Sequence, residues 1–194
     1  IMAQTKIKKD LIDASFGNIL EQIVYYADGR TITTSAGNIT VPNITTSQTF
    51  SGPTFAEAEG SSIAYTPPTG STLVNYEYLG QASYPGSGTQ QCPIWKIQLD
   101  GTDILATRKS LLQQTVYEQQ IIANAAIRIT GGSDDIANMA VGSWTSNKTI
   151  RVMMCAYNSS YNFKLNFTYH GEVNGAGSNW NVINPPVIKI TAYS

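Results

Sequence analysis

His170 is the only histidine in the chain. A Ser-His-Asp system needs its histidine oriented by one group and within reach of a nucleophile. This one ends an alternating run with Glu172 nearby, no GxSxG elbow occurs, and the residue reads as structural. Asp134-Asp135 could hold Ca²⁺ together with loop carbonyls, and Glu57 and Glu59 pose the same question, but a lone acidic pair in a turn is a solvated pair. Glycosidase chemistry needs two carboxyls about 5–10 Å apart, a spacing that thirteen acids in a sandwich reach by accident. The residues therefore name no catalytic group, no metal site and no cofactor, and the expectation is a non-enzyme.

Aromatic side chains carry more promise. Tyr84, Trp144, Tyr157, Tyr161 and Trp180 stand in or beside loops. Exposed aromatic faces among Asn, Ser and Gly donors suit sugars, and protein paratopes use the same set. These five are the candidate surface-recognition residues. The competing reading has Trp144 and Trp180 capping the ends of a core. Cys92 and Cys155 are too few for a disulfide framework. Two buried free thiols are expected, with Cys155 inside the apolar run Val152–Ala156.

The elements that must position these groups are strands. Ile63 and Tyr65 alternate with polar partners before Pro67-Pro68, and Leu73, Val74, Tyr76, Tyr78 and Leu79 carry a β-rich run. Trp95, Ile97 and Leu99 define one apolar face against Ile94, Lys96 and Gln98. Asp100-Gly101 is the strongest hairpin signal, because a type I′ turn needs two residues at positive φ. A strand is expected over about 19–27, two or three short ones over 30–50, and a long β-rich segment over 111–129. Residues 148–157 and 161–170 are expected to face each other across Asn158-Ser-Ser, with Phe163, Leu165, Phe167 and Tyr169 alternating strictly. Residues 187–193 form a final strand. Gly/Pro-rich links join these runs and almost no helical pattern occurs, so the fold class is all-β, a two-sheet jelly-roll sandwich.

Composition narrows the function. Hydrophobic residues make up 42% of the 194, enough for a core, while charged residues make up only 13%, about half the usual share. Hydroxyls and amides replace the charges, as on extracellular and viral β-proteins. The net charge of −1 gives no basic field for a polyanion, so nucleic acid is not an expected partner. No run of 18 apolar residues occurs, so no membrane insertion is expected. The first residues lack the apolar stretch of a signal peptide. The five Asn-x-Ser/Thr sequons at Asn38, Asn43, Asn147, Asn158 and Asn166 read as incidental in so Asn- and Thr-rich a chain.

The segments IAYTPPTGST, VNYEY, IQLDGTDI followed closely by Arg108, TIRVMM and VIKITAYS, in this order, resemble a group of marine virus and phage structural proteins. The opening GNILEQIVYYADGRTITTSAGNITVPNITT is also similar to that group. The resemblance covers most of residues 19–194 and transfers no functional residue. It implies a C1q/TNF-like jelly roll, usually trimeric, serving as a fibre, knob or decoration protein at the capsid surface or tail of a virion. Its expected partners are itself as a homotrimer, other virion proteins, and a host surface glycan or protein. A secreted C1q-like carbohydrate-binding lectin is the alternative, and a polysaccharide depolymerase a third reading.

Two further expectations follow. A trimer needs an apolar seam beyond one core's requirement, and Val187, Ile188, Ile190 and Tyr193, with Tyr76, Tyr78 and Tyr117, are the candidates. Residues 1–18 form an arm outside the 19–194 domain, in which Ile7, Leu11, Ile12 and Phe16 lie among Lys6, Lys8, Lys9, Asp10 and Asp13. That is too little apolar surface to fold alone, so the arm is expected to order on a partner and act as a tether.

Overall fold

A computed structural model describes residues 17–83, 92–111, 118–168 and 182–194. The chain opens with β1 (Ile19–Tyr26), the hairpin β2 (Thr31–Thr34) and β3 (Gly37–Thr40), and β4 (Gln48–Ser51). Two short strands, β5 (Ala56–Glu57) and β6 (Ile63–Tyr65), lead through Pro67-Pro68 into β7 (Leu73–Ser83). Then come β8 (Pro93–Leu99), β9 (Thr102–Ser110), β10 (Glu118–Ile129), a 3₁₀ turn at Ile136–Asn138, and β11 (Ala140–Val141). The remaining strands are β12 (Lys148–Ala156), β13 (Asn162–Leu165), β14 (Phe167–Thr168), β15 (Val182–Ile183) and β16 (Val187–Tyr193).

Two sheets, antiparallel except for the short parallel pairing of β11 with β10, hold most of these strands. The seven-stranded sheet runs β1-β16-β7-β10-β11, with β13 joined to β7 and β4 to β13. The five-stranded sheet runs β5-β12-β8-β9, with β6 also on β12. Neighbours in space are distant in sequence, and the first and last strands are adjacent. That is an all-β jelly-roll sandwich, and the sequence reading of the class holds.

Local chemistry explains the turns. Asp100 at φ 46° and Gly101 at φ 81° give the β8–β9 hairpin the two positive φ values that a type I′ turn requires. Asp100 then accepts a hydrogen bond from the Thr149 N–H at 2.8 Å, pinning the turn to β12. Period-2 alternation places Trp95, Ile97 and Leu99 inside, each at 3% exposure or less. Full burial of one such side chain contributes about 1.5–3 kcal/mol. Facing them are Val74, Tyr76 and Tyr78 of β7 and Ile188 and Ile190 of β16, all at 0%. Gly80 makes room for the Tyr78 phenol, since a Cβ there would lie 2.4 Å from its hydroxyl. Tyr76 donates to the Ser61 carbonyl at 2.6 Å, and burial raises the phenols of Tyr76 and Tyr78 far above their ordinary range. Both cysteines are free and buried, as expected.

Two expectations need correction. The strands at 148–157 and 161–170 do not face each other: β12 pairs with β5, β6 and β8, whereas β13 pairs with β4 and β7. The Asn158–Ser160 turn is a crossing between sheets, and the hairpin spacing concealed it. The strict alternation also stops early. Asn166 takes φ 60°, a left-handed conformation that Asn tolerates, and gives its side-chain amide to the Glu59 carbonyl at 3.0 Å. Phe167 and Thr168 then leave for β15. The 1–18 arm and most of the long link after Thr168 lie outside the described residues.

β1 and β16 close the sandwich at its corner. Asn18 N–H donates to the Ser194 hydroxyl at 3.2 Å, and Ser194 N–H donates to the Asn18 carbonyl at 3.0 Å.

Candidate functional site

On the outer face of the seven-stranded sheet, the register stacks side chains into rows across four strands. One row is Tyr26, Val187, Leu79 and Ile122. The next is Val24, Lys189, Glu77 and Asn124, with Lys189 paired to Glu77 at 2.8 Å. After it come Gln22, Thr191, Asn75 and Ala126, then Ile19, Tyr193, Leu73 and Arg128. Two rows rich in apolar groups thus flank one ion pair and one amide row. Among the described residues nine large hydrophobics are exposed, and five of them, Ile19, Leu20, Val24, Tyr26 and Ile122, belong to β1 and β10. Clusters of this kind, unlike scattered single residues, mark contact surfaces.

The five-stranded sheet turns out a different chemistry. Arg151 of β12 reaches Glu57 on β5 at 3.0 Å and the Gln98 side chain on β8 at 3.0 Å. Gln98 donates to Asp103 on β9 at 2.8 Å. Asp103 also accepts from Lys96 at 2.7 Å and Arg108 at 2.9 Å, and Lys96 lies over the Phe55 ring at 4.3 Å. Burial alone would raise the Asp103 carboxyl. Hydrogen bonds from Lys96, Gln98 and Arg108 outweigh that and hold it at about 2. This face satisfies its polar groups internally.

A groove of about 520 Å³ opens beside the Tyr26 row, between β7, β10 and the Asn184–Pro186 segment. Tyr26, Leu79, Val187 and the two prolines form its apolar side. Its polar side is a chain in which the Asn184 amide donates to Gln81 at 2.5 Å and Gln81 donates to Glu118 at 2.9 Å. The second Glu118 oxygen is buried without a hydrogen-bond partner.

The predicted site residues are scattered. Trp144 is buried at 4% exposure, donates its indole N–H to the Tyr65 carbonyl at 2.8 Å and meets the Tyr65 ring edge-on at 6.3 Å. It caps the core and is not a recognition residue. Tyr157 is 58% exposed and packs edge-to-face with the half-buried Tyr161 at 5.8 Å, so these two stay together on the surface. Tyr84 and Trp180 lie outside the described residues. In the expected seam, Tyr76, Tyr78, Ile188 and Ile190 are consumed by the molecule's own core and have no surface to offer a second copy. Val187 and Tyr193 are half-buried on the outer face, and Tyr117 lies outside the described residues. So do His170 and the arm residues Ile7, Leu11, Ile12 and Phe16. Asp134 and Asp135 bond to the Gly142 N–H and the Asn138 amide, stabilising their own turn. Among the described residues no His/Cys/Asp/Glu cluster could hold a metal ion, and no helix is long and apolar enough to cross a membrane.

Sequence reasoning missed Val24, Tyr26 and Ile122. The signal was present in Ile23-Val24-Tyr25-Tyr26 and Ile121-Ile122, where both faces of a strand are apolar and only one can enter the core. Gln81, Glu118 and Asn184 carried no local signal, because register alone brings them together.

No protein-family model matches the sequence, and no curated protein matches it. Among solved structures, the chain is similar to one titled "Structure of infectious bursal disease virus Gx strain" at 10% identity and a TM-score of 0.26. The alignment covers 91% of this chain but 43% of that one, so the chain spans less than half the length of that neighbour.

Proposed function

We propose that the chain is a non-enzymatic virion structural module, a C1q/TNF-like jelly roll that assembles as a homotrimer through the Ile19, Tyr193 and Leu73 end of the outer face of its seven-stranded sheet. The observation that carries this reading is the concentration of exposed Ile19, Leu20 and Val24 along β1. Leu73 and Tyr193 continue that surface. The jelly-roll topology and the segments resembling viral fibre, knob and decoration proteins support it. Residues 1–18 are the tether to the particle, and the assembled module recognises a host surface or reinforces the shell.

Light scattering on the purified protein tests the assembly. The expected mass is three times 21.0 kDa at micromolar concentration, and the double substitution Leu20→Asp with Val24→Asp should yield a folded monomer. A wild-type monomer at that concentration removes the trimer. Deleting residues 1–18 tests the tether: a folded trimer that no longer incorporates into particles is expected, and retained incorporation overturns it.

A further inference from the structure

We infer that the groove beside Tyr26 is a binding site for a neutral oligosaccharide, and that it holds this ligand without cleaving it. The inference deepens the host-recognition half of the proposed function and rests on that reading only for its biological role. The volume of about 520 Å³ lies within the range of small-ligand sites. One side is apolar and flat: Tyr26 is 55% exposed, and Pro185, Val187 and Leu79 extend it. The C–H face of a pyranose ring fits such a surface. The other side is a rail of planar side chains already held in place, because Asn184 is bonded to Gln81 and Gln81 to Glu118. Each amide has both donors and acceptors, and a carboxylate only accepts. Adjacent sugar hydroxyls both donate and accept, so they match a mixed rail of this kind.

Glu118 sharpens the ligand class. One of its oxygens is buried and closed to the groove, while the other accepts from Gln81 at 2.9 Å, so the carboxylate holds the Gln81 amide in place for the ligand. No Lys, Arg or His lines the groove among the described residues, so a sialylated or sulfated sugar would meet an uncompensated carboxylate. Hydrolysis by the common route needs a second carboxyl across the scissile bond, and Glu118 is the only acid among the described lining residues. A peptide strand is a poorer occupant. Leu79 lies between β10 and β16, and Gln81 pairs with β10 while its carbonyl accepts from the Asn166 N–H at 2.9 Å, which leaves no open edge of β7 here for β-augmentation.

The test uses the full chain and a fixed probe set: maltotriose, triacetylchitotriose and lacto-N-tetraose as neutral ligands, with 3′-sialyllactose as the anionic control. Titration calorimetry and saturation-transfer NMR should detect at least one neutral probe at millimolar concentration, with little or no response to sialyllactose. Tyr26→Ala and Glu118→Gln should each weaken that affinity at least tenfold, with Gln81→Ala as a further rail variant if either fails to fold. Leu105→Ser, exposed on β9 outside the groove, should leave affinity unchanged. The site is overturned if no neutral probe binds, if binding survives these substitutions, or if sialyllactose binds more tightly. It is overturned too if Tyr26→Ala changes only the mass in solution, which would make a second copy the occupant. A trimer that enters particles but ignores every neutral probe ends this inference alone, whereas a sugar-binding monomer ends the trimer alone.

Discussion

The five-stranded sheet carries Glu57, Arg151, Gln98 and Asp103 across its outer face in one connected series of hydrogen bonds, whereas the seven-stranded sheet offers, among the described residues, a single ion pair, Lys189–Glu77, between apolar rows. Both faces belong to the same sandwich and share its core. The first meets its own polar requirements, so a partner could gain little there without breaking bonds already made. The second leaves Val24, Tyr26 and Ile122 in water, which is unfavourable for each and is relieved only by contact. The difference suits the first face to holding the fold and leaves the second, under the proposed function, to meet other molecules.

Charge reversal should show the contrast most strongly. Asp103→Lys would leave Lys96 and Arg108 facing a third cation in a site only 22% exposed. By comparison with broken buried pairs, it should cost about 3 kcal/mol. Glu77→Lys removes the ion pair of the other face, where both partners are 36% exposed, and should cost about 1 kcal/mol or less. Urea denaturation of the two variants measures this, and equal losses would erase the distinction between the faces.

Acid titration gives the next effect. The Asp103 carboxyl is lowered from 3.8 to about 2 in the folded protein, so it contributes stability above its unfolded value. That contribution falls away as pH drops from about 4 towards 2, and linkage puts it at about 2 kcal/mol. Asp103→Asn should flatten this part of the stability profile. An unchanged profile in the variant would show that the Lys96–Asp103–Arg108 cluster does not hold the face together.

The smallest effect concerns the thiols. Cys92 and Cys155 are unbridged and buried, and burial raises both thiols above their ordinary range. Reducing agent should leave the melting temperature within about 1 °C, because there is no native cross-link of the kind worth about 2–5 kcal/mol to lose. A fall of many degrees would mean that this side of the sandwich relies on a covalent tie as well as its ion network.

How far the sequence spoke depended on the range of each interaction. Asp100-Gly101 announced its hairpin because turn geometry is local. Trp95, Ile97 and Leu99 announced a buried face because alternation is local. The partners of β12 and β13 were not legible, since nothing in Asn158-Ser-Ser distinguishes a hairpin from a crossing between sheets. Trp144 looked like a surface aromatic because its loop position was visible, while its bond to the Tyr65 carbonyl was not. The expected seam failed at Tyr76, Tyr78, Ile188 and Ile190 for a related reason. Apolar alternation marks the face that enters the core, and these are its members. The groove was the least legible feature, being assembled from β1, β7, β10 and the segment before β16.

The pairing of β1 with β16 also has a consequence in time. The ribosome delivers β1 well before its partner, with 160 residues between Tyr26 and Val187. At about 5–20 residues per second, roughly 10–30 s of synthesis separate the two strands. Through that interval Ile23 and Tyr25 have no neighbour along one edge, and the strand that should cover it does not yet exist. Production of this protein therefore depends on keeping its opening strand from other chains until its closing strand arrives. Slower initiation and lower temperature, which reduce the number of waiting chains, should raise the folded yield more than any change to the core.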